Sequence, residues 1–228
     1  MTESALRRQI VATALAMNTL GINRGKSGNV STRWQDGLLI TPSGLPYEET
    51  KPSQIVFVDA KGAAHGRLAP SSEWRFHYDI YRSRADAQAV VHTHSSFATT
   101  LACLGRDIPA FHYMIAVAGG NDIRCAPYAT FGTQPLSDHA LAALKDRKAC
   151  LLGNHGMIAL EQSLQKALAL AVEVEALCEQ YWRALQIGQP NILPDAEMAV
   201  VLEKFRTYGT PAHVKDKTKR SPQRRKGR

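Results

Sequence analysis

Apolar positions recur along the chain with two periods, one near 3.6 and one near 2, and the two alternate. Leu6, Ile10, Ala14 and Met17 fall three or four apart, which predicts a helix over about residues 4–20, with Gly21 placed to end it. Val30–Trp34 and Leu38–Thr41 flank Asp36-Gly37, the signature of a hairpin turning on that pair. Ile55–Val58 reads as a further strand, closed by Asp59-Ala60-Lys61-Gly62. Ser71-Ser72-Glu73 then opens a helix running to about Arg82, with one of the serines expected as N-cap and Glu73 in the first turn. Ala89–His92, Ala149–Leu152 and Met157–Leu160 are short apolar runs expected as buried strands. Leu164, Leu168, Ala171, Val174, Leu177, Tyr181 and Leu185 share one helical face over about 164–187, and Gly188 and Pro190 stop that helix. Asp195 is expected to cap a last helix ending near Tyr208-Gly209. Strands and helices mixed with hairpins, without internal repeat or linker, predict one α/β domain with a partly antiparallel sheet.

The strand at Ala89 ends in chemistry. His92 and His94 are one residue apart, and a third histidine, His155, follows Leu151-Leu152. In an extended strand, residues i and i+2 point to the same face, about 7 Å apart. A His-x-His pair can therefore aim two imidazoles at one ion, and a histidine from another strand can complete a three-imidazole zinc site with a vacant fourth position. Two other metal folds fit poorly. Metallo-β-lactamase-like sites continue the pair with Asp and a further His, whereas here Ser95-Ser96-Phe97 follows. A zinc hydrolase on an eightfold barrel needs about 250 residues, more than the 228 of the whole chain.

Composition narrows the setting. An apolar share of 44% and a charged share of 21% are those of an ordinary globular domain. The first residues lack the pattern of a secretion signal, and no apolar run reaches membrane-spanning length. Cys103, Cys125, Cys150 and Cys178 are widely spaced without a Cys-x-x-Cys, which predicts reduced thiols and a cytoplasmic protein. The net charge of +8 is local: Lys215–Arg228 holds eight Lys or Arg against one Asp, a net of +7. The remainder is close to neutral, so residues 1–209 are expected to be the folded domain and 210–228 a basic, disordered tail. Nothing in the remainder forms a basic stripe, so neither nucleic acid nor a membrane is expected as a partner.

Three segments have the chemistry of anion binding. Ser71 and Ser72 precede a predicted helix whose free N–H groups attract phosphate. Gly25-Lys26-Ser27-Gly28-Asn29 and Thr41-Pro42-Ser43-Gly44 place small residues beside donors, so an anion can approach the backbone. None has the spacing of a P-loop. Three histidines, an acidic residue and these loops together point to a metal acting on a small phosphorylated substrate.

Gly-Asn-Val-Ser (28–31), Thr-Pro-Ser-Gly (41–44), Ser-Ser-Glu (71–73), His-x-His (92–94) and Asn-His-Gly (154–156), in this order, resemble the class II aldolase/adducin family. The segments 108–114 and 125–133 are most similar to its fuculose-phosphate aldolase branch, and the likeness covers about residues 5–209. It implies an α/β domain with a central, mostly antiparallel sheet flanked by helices on both faces, assembled as a homotetramer with sites at subunit interfaces. It implies Zn2+ (or Mn2+ or Co2+), one per subunit, held by His92, His94 and His155. Glu73 would be the acid/base and also approach the metal. Phosphate contacts fall on Gly28, Asn29, Ser43, Gly44, Ser71 and Ser72. Tyr113 would reach the aldehyde end of the substrate from a neighbouring subunit, with Phe131 and Tyr208 shaping that end.

The implied reaction is reversible cleavage of a ketose 1-phosphate to dihydroxyacetone phosphate and a short aldehyde. L-Fuculose 1-phosphate, 5-deoxypentulose 1-phosphate and 5-methylthioribulose 1-phosphate all suit it. Alternatives on the same fold are a pentulose-phosphate epimerase, a methylthioribulose-1-phosphate dehydratase and a non-enzymatic adducin-like interaction domain. Two features depart from the pattern: Lys26 stands where that branch carries a small hydroxyl residue, and the basic tail has no counterpart.

Overall fold

Helix α1 (Glu3–Thr19) begins where the Thr2 side chain accepts from the Ala5 N–H and ends at Gly21, whose φ of 73° lies in the left-handed region. There Ile22 N–H donates to Met17 O and Gly21 N–H to Asn18 O, each at 3.1 Å, so two carbonyls of the helix end are satisfied. The computed structural model describes residues 1–206. Tyr208, the expected end of the last helix near Gly209 and the basic tail lie outside the described residues.

Strands β1 (Asn29–Trp34) and β2 (Gly37–Ile40) form the expected hairpin. Its turn is one residue earlier than expected. Trp34 pairs with Gly37, so Gln35 and Asp36 occupy the corner and Gln35 takes the positive φ of 50°. β3 (Val56–Val58) and β4 (Ala64–His65) extend the sheet on that side. α2 (Trp74–Ser83) leads to β5 (Ala89–Thr93) and α3 (Ser96–Ala102). A two-stranded ribbon of β6 (Ile108–Pro109) and β7 (Asp122–Ile123) stands apart. β8 (Cys125–Ala126), α4 (Gln134–Ala143), β9 (Ala149–Leu152), β10 (Gly156–Glu161), α5 (Leu164–Ile187) and α6 (Asp195–Phe205) follow.

The main sheet has eight strands in the order β4-β3-β2-β1-β5-β10-β9-β8. Each neighbouring pair is antiparallel except β8 with β9. Alternation along the strands sends residues to two separate cores. Val30, Leu39, Val91, Leu151 and Ala159 pack with residues of α1, α3, α5 and α6 on one face. Leu38, Ile40, Val90, Leu152 and Ile158 pack with α2 and α4 on the other. α5 crosses the first face with Val174 and Leu177 fully buried, each worth about 1.5–3 kcal/mol of apolar transfer.

Two helix starts differ from expectation. Glu73 is itself the N-cap residue of α2, without a side-chain cap bond, because its carboxylate is turned onto the histidines. Ser71 Oγ instead accepts from the Glu73 N–H at 3.3 Å. For α6 the N-cap is Pro194 and Asp195 is the first helical residue; its carboxylate accepts from Asn121 Nδ2 at 2.8 Å.

Candidate active site

His92 lies in β5 at the middle of the sheet, opposite Asn29 of β1 and Ile158 of β10. The two-residue period puts it and His94 on the face covered by α2 and α4. Phe76 of α2 packs edge-on against the His92 ring. Directly after His94 the chain turns into α3, and Glu175 of α5 fixes that turn. It accepts from Ser95 Oγ at 2.7 Å and from the Phe97 and Ala98 N–H groups at 2.8 Å. His155 sits in the tight turn between β9 and β10, after Asn154, whose φ is 55°; asparagine tolerates this region better than most residues. Gly156 is required next: a Cβ there would stand 2.4 Å from the Thr93 carbonyl, so only glycine lets this turn close down beside His94.

Glu73, His92, His94 and His155 thereby come together, with one ligand atom of each lying within 4.8 Å of all the others. His92 Nε2 is 3.0 Å from His94 Nε2 and 3.1 Å from Glu73 Oε2. His155 Nε2 is 3.0 Å from Glu73 Oε1. The three rings have centroids 4.8–4.9 Å apart and stand at 72–79° to each other, a propeller around one point.

The donor set fits a divalent metal. His92 Nδ1 lies 2.9 Å from the Met157 carbonyl. A carbonyl only accepts, so the Nδ1 proton is spent there, and in the neutral ring the Nε2 lone pair faces the cluster. Glu73 Oε1 is buried without a directed hydrogen bond. A proton would bridge one pair of these atoms, whereas a single cation shared by all four groups satisfies the set. Burial above all holds the His94 imidazole down at about 4, so it is neutral at pH 7 as a ligand must be. Burial acts to raise the Glu73 carboxyl, but the adjoining His92 and His155 outweigh it and keep the group ionised.

The cluster forms the floor of a cavity of about 660 Å³, a common size for a small-molecule site. Gly44, Ser72, Glu73, His94, His155 and Phe131 line it, and Arg24 and Lys26 add positive charge on one wall. Lys26 Nζ donates to the Gly44 carbonyl at 2.8 Å. Ser43 is exposed beside Gly44, while Ser71 is buried behind Ser72. Gly28 and Asn29 are buried as well. The Asn29 amide is turned onto Glu73 Oε2, at 2.9 Å, and onto His77. Tyr113 does not line this cavity. It is 47% exposed and stacks on His112 and meets Phe205, beside a separate groove with Phe111, Leu193 and Val201.

Residues 8–182 match the family model described as Class II Aldolase and Adducin N-terminal domain. The chain belongs to this family. This class II aldolase is 60% identical over 210 residues to the 5-methylthioribulose-1-phosphate/5-deoxyribulose-1-phosphate aldolase of Rhodospirillum rubrum, covering 92% of this chain and 95% of the relative. It is 57% identical, over 92% of its length and 98% of the relative's, to the L-fuculose phosphate aldolase of Escherichia coli K12. Among solved structures, an L-fuculose 1-phosphate aldolase superposes with a TM-score of 0.88 at 40% identity, covering 90% of this chain and 98% of that one. The antiparallel sheet between two helical layers and the metal-binding cluster of this aldolase agree with the resemblance of its motifs.

Several residues at this aldolase's site were not singled out by the sequence. Arg24 and Tyr128 line the cavity, and His77 is fully buried one helical turn behind Glu73. The spacing of Glu73, His77 and Tyr81 at i, i+4 and i+8, opposite Asn29 and Ser31 at i and i+2, is a signal in the sequence that could have found this buried set.

Proposed function

We propose that this class II aldolase is a zinc enzyme that reversibly cleaves a ketose 1-phosphate to dihydroxyacetone phosphate and a short aldehyde. 5-Methylthioribulose 1-phosphate, 5-deoxypentulose 1-phosphate and L-fuculose 1-phosphate are its candidate substrates. The observation that carries this reading is the three-histidine, one-carboxylate cluster at the floor of a cavity with a cationic wall. The names of the two relatives support the substrate class.

His92, His94 and His155 hold the metal, with Glu73 beside them. A divalent ion there supplies Lewis acidity to the substrate's carbonyl oxygen. The phosphate is held by Ser43, Gly44 and Ser72, by the Ser71 hydroxyl, by backbone N–H groups around Gly28 and Asn29, and by Lys26 and Arg24. These groups fix the dihydroxyacetone phosphate half so that its hydroxymethyl carbon lies beside Glu73. Glu73 then removes or returns the proton at that carbon, a contribution of about 10²–10⁴-fold for a placed acid–base group. Phe131, which lines the cavity, borders the aldehyde half.

Tyr113 serves the C4 oxygen of the substrate in a neighbouring copy. Its exposure, away from its own chain's cavity, supports this and hence a homotetramer with sites at subunit interfaces. No helix among the described residues is long and apolar enough to cross a membrane, in keeping with action in the cytoplasm.

Purified protein incubated with each of the three ketose 1-phosphates tests the reading. Stoichiometric release of dihydroxyacetone phosphate supports it. Conversion to an isomer or a dehydrated sugar phosphate, without dihydroxyacetone phosphate, replaces it with epimerase or dehydratase chemistry.

A further inference from the structure

Behind Glu73 runs a file of buried polar groups between α2 and β1. Tyr81 Oη is 2.9 Å from Ser31 Oγ, and Ser31 Oγ is 2.7 Å from His77 Nδ1. His77 Nε2 meets Asn29 Oδ1 in a short hydrogen bond, and Asn29 Nδ2 is 2.9 Å from Glu73 Oε2. Ser31 and His77 are 0% exposed, Asn29 2% and Tyr81 5%. Polar groups buried this deeply cost about 1–3 kcal/mol each if left unpaired, so every link must be made.

The direction of every link follows from the last. A carboxylate accepts, so the Asn29 NH2 donates to Glu73. The Asn29 carbonyl oxygen then faces His77, so His77 Nε2 carries the proton and donates. Nδ1 of the neutral ring is left as an acceptor, so Ser31 donates to it. Ser31 Oγ in turn accepts from the Tyr81 hydroxyl. All four bonds thus point the same way, toward the carboxylate. The opposite tautomer of His77 would rotate the Asn29 amide and set its oxygen against Glu73 Oε2.

We propose that His77, Ser31 and Tyr81 are positioning residues, a one-way hydrogen-bond file that holds the Asn29 amide as a donor to Glu73 Oε2 and leaves Oε1, the oxygen on the His155 side, for proton transfer. The inference rests on the aldolase reading for the role of Glu73. Complete burial holds the His77 imidazole near 3, so the ring is neutral and its tautomer matters. Glu73 Oε1, which has no directed hydrogen bond, is the oxygen the file does not use. Asn29 is thereby assigned to Glu73 through its side chain, which leaves its backbone alone for the phosphate.

The test uses the metal-loaded, full-length protein. In protein labelled with ¹⁵N-histidine, the His77 signals, assigned by their loss in His77→Gln, should show a protonated Nε2 and an unprotonated Nδ1. Tyr81→Phe and Ser31→Ala should lower kcat about 10–100-fold, the usual cost of removing an outer-shell partner. KM and bound metal should stay as in the wild type. Deuterium exchange from solvent into the hydroxymethyl carbon of dihydroxyacetone phosphate should fall in parallel. His77→Gln, whose amide can still donate to Asn29, should retain more activity than His77→Leu. If His77→Leu fails to fold, Tyr81→Phe and Ser31→Ala decide alone.

An Nδ1-protonated His77 overturns the proposal. So does wild-type exchange in both Tyr81→Phe and Ser31→Ala, or a loss of rate that follows loss of metal. Failure of the wild type to cleave any ketose 1-phosphate would instead refute the aldolase reading, while the tautomer measurement, which needs no substrate, would still stand.

Discussion

The two faces of the sheet are built from the same strands and do different work. The face under α1, α3, α5 and α6 is packed with Ile10, Met17, Val91, Val174 and Leu177. The face under α2 and α4 has an apolar part around Phe76, Ile80 and Ile158, but beside it lie Glu73, His77, His92, Asn29 and Ser31, all buried. An apolar face can be repacked at modest cost because dispersion and hydration are non-directional. A buried polar face cannot, because each donor must meet one acceptor in a fixed place. The lesson is a division of labour: one layer supplies stability, and the other spends some of it to hold four ligands on one point.

The largest break in this contrast is removal of a ligand. His94→Ala should lose bound metal and activity together, measured by elemental analysis and dihydroxyacetone phosphate release, and exhaustive chelation of the wild type should do the same. Full turnover by a rigorously metal-free preparation would refute the mechanism. Glu73→Gln should come next. It keeps the size and one oxygen of the side chain but cannot take up a proton, so kcat should fall by about two orders of magnitude or more while most metal is retained.

The apolar face should respond in the opposite sense. Leu177→Ala should destabilise the fold by about 2–5 kcal/mol in denaturant titrations, yet leave metal stoichiometry and turnover per folded molecule unchanged. A strong fall in turnover without a stability change would mean the faces are not separable.

Acid should discriminate between the faces as well. The imidazole of His77 is held down at about 3 in the fold against an ordinary 6.5. Between those values the unfolded chain binds the proton and the folded one does not, so stability falls as pH drops below about 6.5 and levels off near 3. The slope is about 1.4 kcal/mol per pH unit for one such group. Denaturant titrations at pH 7 and 5 should show a smaller loss for His77→Gln than for the wild type, whereas Leu177→Ala should keep the wild-type difference.

The smallest effect concerns the phosphate. Ser72 lines the cavity, while Ser71 Oγ is engaged with the Glu73 N–H. Ser72→Ala should raise KM for the ketose 1-phosphate about tenfold with kcat little changed, the cost of one hydrogen bond to a charged group. An unchanged KM would place the phosphate elsewhere.

Much of this was readable from residue order. The apolar periods located α1, β1, β2, β5, β9, β10 and α5, since periodicity is a local property of side-chain direction. His-x-His on a strand end announced two ligands, because strand geometry alone aligns them. The helix starts were less legible. A Ser-Ser-Glu triplet reads as a capped first turn, but Glu73 gains more from the histidines than from its own helix, so the cap is given up and α2 begins at Trp74. Asp36-Gly37 reads as a turn pair, yet pairing of Trp34 with Gly37 moves the corner back one residue.

What the sequence by itself determined is the longer elements, the candidate ligands and the family. Local propensity and motif order suffice for these. The tertiary structure decided which groups share a face at long range. Pairing of Asn29 with His92 across β1 and β5, and of Ile158 with His92 across β10, brings the 29, 73, 92 and 155 segments to one point. It also aligns α2 over β1, so that His77 and Ser31 become a hydrogen-bonded pair although 46 positions separate them. Strand register and helix docking follow from burying two apolar faces at once, a condition no local stretch of sequence contains.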